Sequence, residues 1–122
     1  MEKLEMKAAG RVLRFAFDLR AWFDLEHVFG SLTEMNRRME ENDRPMEASM
    51  ELAAITATAG DRASEPVTAA WLMEHLTPKQ AGKAAMLAKA AFVEGMTREE
   101  EEPEGPTDAV LEELQKKTSG EA

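Results

Sequence analysis

From residue 18 onward the chain is punctuated at short intervals by residues that start and stop helices, which leaves room for little else. Asp18 is placed to cap a helix that Gly30 would end. Ser31-Leu32-Thr33-Glu34 has the capping-box spacing, with a hydroxyl at the cap and a carboxylate three residues on, and predicts a second helix to about Glu41. Asn42-Asp43-Arg44-Pro45 breaks that helix, and Pro45 suits the first turn of a third, running to Ala59. Gly60 to Glu65 reads as a loop and Pro66 to His75 as a short fourth helix. Thr77-Pro78 then opens a long fifth helix, from Pro78 to about Met96.

The periodicity assigns faces. At 100° per residue the first helix presents Leu19, Trp22, Leu25 and Phe29 as its inner stripe, with Arg20, Asp24 and His27 opposite. Leu32, Met35 and Met39 share one side of the second helix. The third is apolar nearly all round, with Met46, Met50, Ala53 and Ala57 on one side and only Glu47, Glu51 and Thr58 as a polar edge, so it is expected inside a bundle. Val67, Ala70 and Trp71 are the expected anchors of the fourth helix. Ala81, Ala85, Ala88, Phe92 and Met96 are the expected inner stripe of the fifth, small enough for a neighbouring helix to come close.

Before residue 18 the period is two. Leu4 and Met6 alternate with Lys3, Glu5 and Lys7, and Leu13, Phe15 and Phe17 alternate with Arg14 and Ala16; Gly10 lies between the runs. A short β-hairpin fits this pattern. The fold class is therefore mainly α: a bundle of about five helices with a short N-terminal hairpin. Charge divides the chain in two. It carries −9 overall, of which residues 97–122 hold −6, with Glu99-Glu100-Glu101-Glu102 set beside Pro103, Gly105 and Pro106. Residues 1–96 are expected to form the domain and 97–122 an acidic, mostly disordered tail. Within the tail, Thr107 could cap a short helix bearing Val110, Leu111 and Leu114.

The acidic balance weighs against binding nucleic acid, which needs Lys and Arg to neutralise phosphates. No apolar run is long enough to span a membrane. The N-terminus has no secretory-type apolar stretch, and an intracellular protein is expected. With no cysteine there is neither a disulfide nor a thiolate site. The phosphate-loop, dinucleotide and nucleophile-elbow motifs are missing. Asp24 and His27 stand one turn apart but fall short of a metal ligand set. No catalytic, cofactor or metal residue is assigned, and no enzyme is expected. Glu26 falls within the apolar stripe and is expected as a buried structural acid paired with Arg37 or Arg38, in preference to an acid/base group. The methionines Met35, Met39, Met46 and Met50 serve either as core filler or as a flexible partner surface. Leu87, off the inner stripe, is either covered by another part of the chain or used in a contact. The candidate partner-binding residues are Trp22, Met35, Met39, Met46 and Leu87.

The stretch from Val12 to Leu32 carries a resemblance. Phe17-Asp18 at the end of a strand, Leu25-Glu26 within the following helix and Gly30-Ser31-Leu32 at its close are similar to the pattern of tail assembly chaperones of long-tailed bacteriophages, prophages and gene-transfer agents. The resemblance implies a protein that binds the long tape measure protein and keeps it soluble while tail tube subunits polymerise around it. It also implies a homo-oligomer in the bacterial cytoplasm, absent from the mature virion, with tube subunits contacted through a longer frameshifted product. The competing reading is a small regulatory helical domain that binds nucleic acid or another protein, with Pro45–His75 imitating a helix-turn-helix. An enzyme built on Glu26 and His27 is the third.

Overall fold

The computed structural model describes residues 4–40 and 45–97; the tail expected from 97 onward lies, from residue 98, outside the described residues. Two strands, β1 (Glu5–Ala8) and β2 (Arg11–Arg14), pair antiparallel with Met6 opposite Leu13 and Ala8 opposite Arg11. The two-residue turn between them, Ala9-Gly10, has positive φ at both positions (52° and 75°), the backbone sense that matches the twist of a hairpin. Met6, Ala8, Leu13, Phe15 and Phe17 are buried, so the alternation read from the sequence becomes one apolar face laid on the helices.

Among the described residues five helices follow: α1 (Leu19–Phe29), α2 (Leu32–Glu40), α3 (Pro45–Gly60), α4 (Ala69–His75) and α5 (Pro78–Thr97). Their starts are chemically explicit. The Asp18 carboxylate accepts the Ala21 N–H at 2.8 Å, the Ser31 hydroxyl that of Glu34 at 3.0 Å and the Thr68 hydroxyl that of Trp71 at 3.0 Å. Thr77 and Gln80 cap α5 reciprocally, each backbone N–H donating to the other's side chain. Gly30, at φ 97°, closes α1 by donating its N–H to the Glu26 carbonyl.

α3 is the axis of the bundle: α1, α2, α4, α5 and the hairpin all pack on it. It buries Ala48, Ser49, Met50 and every residue from Leu52 to Ala57. Buried Thr56 satisfies its own hydroxyl on the Leu52 and Ala53 carbonyls at 2.9 and 3.2 Å, while its carbonyl accepts the Ala16 N–H at 3.0 Å. α5 meets α3 through an alanine seam of Ala84, Ala85, Ala88 and Ala91, which brings the two backbones close.

The segment Arg14–Phe17 straps the ends of these two helices. A Cβ on Gly60 would lie 1.8 Å from the Arg14 carbonyl oxygen, and one on Gly95 would lie 2.3 Å from that of Phe17. Only glycine allows the strap to sit directly on helix backbone at both places. The Phe17 ring then meets Phe92 edge to face, with centroids 4.9 Å apart.

Several expected faces shift. The buried stripe of α1 is Ala21, Leu25 and Phe29; Leu19 is 67% exposed, and Trp22 is half-buried at the flank. At 100° per residue Leu19 lies about 120° round from Leu25, whereas Ala21 lies about 40° to the other side. On α5, Met96 is exposed and the buried set is rotated towards Ala84 and Ala91. The fourth helix begins at Ala69 and not at Pro66, because the Val67 N–H and carbonyl are both bonded to the Thr58 hydroxyl and the extended Thr68 caps the helix after them. Its anchor is Leu72, fully buried, while Ala70 is exposed.

Candidate partner-binding surface

The residues singled out from the sequence do not converge. Met35 is 1% exposed and belongs to the core, where α2 packs on α3, so it offers a partner almost no surface and contributes only to the wall of the groove between α2 and α5. Met39 is half-buried beside it, in the same groove. Met46, about half exposed, lines a different groove with Met73 and Leu76. Leu87 is half-buried against the core, which answers the sequence alternative in favour of cover by the chain itself.

Glu26 is also corrected. It is exposed, and its carboxylate accepts the Trp22 indole N–H at 3.2 Å. It lies about 100° round from Leu25, past the edge of the buried stripe, so solvent and one indole satisfy it. The arginines expected to pair with it are engaged elsewhere: Arg37 bonds Glu34, one turn back, and Arg38 lies over the Phe29 ring at 5.0 Å. Asp24 and His27 line a shallow groove with Glu51 and Thr58, but among the described residues no three acidic or histidine side chains are placed to hold a metal.

What the structure does assemble is an apolar shoulder where α1 begins and α5 ends. Leu19, Trp22, Phe17 and Met96 line a groove there of about 220 Å³, floored by Gly95. Phe23, one turn on from Leu19, stands 61% exposed beside it. Asp18 forms the polar lip. Partial burial pushes its carboxyl pKa up, but the Ala21 N–H and the Arg62 guanidinium outweigh this and hold it below its ordinary value of 3.8. Arg62 reaches it at 2.8 Å from the loop after α3. Large apolar side chains exposed side by side are the kind of patch that marks a protein contact. A sequence signal was present in the adjacent bulky pair Trp22-Phe23, but it counts only once the true inner face of α1 is known.

The helix-turn-helix reading finds less here. α3 has nine of its sixteen residues buried, and α4, which would have to be the reading helix, carries no Lys or Arg (Ala69-Ala70-Trp71-Leu72-Met73-Glu74-His75). Among the described residues no helix is long and apolar enough to cross a membrane. Compared with family models, with curated proteins and with solved structures, the chain matches none of them.

Proposed function

We propose that this chain is a binding protein and not an enzyme, a helical domain that lays its apolar shoulder on the face of a partner helix. More particularly, it serves as a phage-type tail assembly chaperone, whose client is the tape measure protein and whose place is the cytoplasm of the bacterial host. The observation that carries the reading is the exposure of Leu19 and Phe23, 67% and 61%, next to the Trp22–Met96 groove. A long amphipathic client helix would set residues of i, i+3 and i+4 spacing into such a groove. The chain's charge of −9 would keep the complex from aggregating, as a solubilising partner requires. The Phe17-Asp18, Leu25-Glu26 and Gly30-Ser31-Leu32 pattern supports the family, and homo-oligomerisation along a repetitive client goes with it.

The test is co-expression with a tape measure protein from the same phage or prophage. The client should remain in the soluble fraction and co-elute with this chain. The double variant Leu19→Asp, Phe23→Asp should keep its helical spectrum and thermal midpoint while client affinity falls at least tenfold, about 1.4 kcal/mol. A client equally soluble alone, or bound equally well by the double variant, overturns the proposal.

A further inference from the structure

Two faces of the bundle carry opposite charges that no described residue answers. On the outer side of α5, Met86 and Val93 are 69% and 54% exposed, and Lys79, Lys83 and Lys89 stand exposed around them. Glu94 is the one acid of that helix. At 100° per residue Lys83 and Lys89 lie about 60° to either side of Met86, one about 4.5 Å before it along the axis and the other about 4.5 Å after. The second face is the groove between α1 and α3, about 390 Å³ in volume. Buried Ala54, Ile55 and Val67 give it an apolar floor, and Asp24 on α1 and Glu51 on α3 are its acids. Exposed Glu47, one turn before Glu51, extends the acidic edge. Among the described residues no salt bridge reaches Lys79, Lys83, Lys89, Asp24 or Glu51, and Arg20, one turn before Asp24, does not pair with it.

We propose that the chain self-associates head to tail, with Met86 of one copy seated in the α1/α3 groove of the next and Lys83 and Lys89 reaching Asp24 and Glu51 there. The patterns are complementary: an apolar side chain between two cations meets an apolar floor between two acids. The two faces cannot meet within one copy, because the α5 stripe points away from α3, whereas α3 forms the floor of the groove. The stripe does not suit its own equivalent either. A two-fold contact would set the three lysines of α5 against the same three, with only Glu94 to balance them. Residues 97–122 hold −6 of the total −9, which leaves −3 on residues 1–96. At 0.1 M salt charges act over about 10 Å, so the local signs of the two faces govern their docking.

A contact between unlike faces repeats, and the assembly closes into a ring or continues as a filament. The groove is separate from the shoulder, since Asp24 lies about 100° round α1 from Phe23. One copy can therefore hold a neighbour and a client together. The contact gives the homo-oligomer of the proposed function its surface and rests on that reading only to this extent. It is tested without a client, so its failure leaves the shoulder to be judged by co-expression.

Two variants of the full-length chain reverse one face each: Lys83→Glu with Lys89→Glu, and Asp24→Lys with Glu51→Lys. In sedimentation at low salt the unaltered chain should pass beyond the dimer as its concentration rises, and return towards monomer as salt is added. Each variant alone should keep its helical spectrum and self-associate at least about tenfold more weakly. Their equimolar mixture should assemble again, because each stripe then meets a groove of opposite sign on the other variant. Both variants remain net negative, so overall charge cannot produce that recovery. Asp24→Lys alone, at an exposed position, serves the same comparison if Glu51→Lys unfolds the chain. An unaltered chain that stays monomeric, or folded variants whose mixture does not assemble, overturns the proposal. A groove variant that associates as well as the unaltered chain overturns it in favour of stripe-on-stripe pairing.

Discussion

α3 and α5 are both rich in small residues, yet they do opposite work. α3 is buried on nearly every side and serves as the surface on which the other elements are built. α5 offers a single alanine seam to α3 and leaves Met86, Val93 and Met96 exposed. Small side chains alone therefore do not say whether a helix is central. What separates the two is the opposite face: on α3 it is buried, through Leu52 and Ile55, whereas on α5 it is exposed, with Met86 and Val93 set among Lys79, Lys83 and Lys89.

The contrast can be broken first at the two glycines beneath the strap. Gly60→Val should cost more than about 4 kcal/mol in urea unfolding, because backbone of Arg14 occupies the place of the new Cβ and the end of α3 is enclosed. Gly95→Val, facing a similar clash near the exposed end of α5, should cost clearly less, about 2 kcal/mol, since that last turn can move away. Equal losses would mean that the two ends are equally fixed. Truncation sharpens the same point. Leu52→Ala should cost about 3 kcal/mol by leaving a cavity in the core, and Met86→Ala no more than about 0.5 kcal/mol. The smallest effect is electrostatic and belongs to the α3 side, where Asp18 bonds Arg62. Its pKa is lowered by folding, so its contribution is present above the unfolded value near 3.8 and is lost as pH falls through the lower folded value. Asp18→Asn should retain the cap and flatten this acid limb of the stability profile, read by thermal midpoints across the acid range.

Much of the fold was legible because its signals are local. Asp18, Ser31, Pro45 and Thr77 each act on the backbone within about one turn, and all four helix starts fall where their chemistry requires. The faces were less legible. Weighting a stripe by its large residues drew Leu19, Glu26 and Met96 inward, whereas the bundle is drawn together by Ala21, Ala84 and Ala91, whose value is the close approach they permit. The shoulder was hidden for the same reason, since Leu19 and Phe23 become a surface only after Ala21 has set the rotation of α1. The seating of Arg14–Phe17 on Gly60 and Gly95 was not legible at all. Those contacts join residues more than forty positions apart, and nothing near either glycine announces them.

That seating also sets an order of events during synthesis. Phe15 and Phe17 are made well before Gly95, and the second of their two berths exists only when Gly95 has emerged and α5 has wound against α3. Until then the nascent chain holds two phenylalanines with half of their resting place missing.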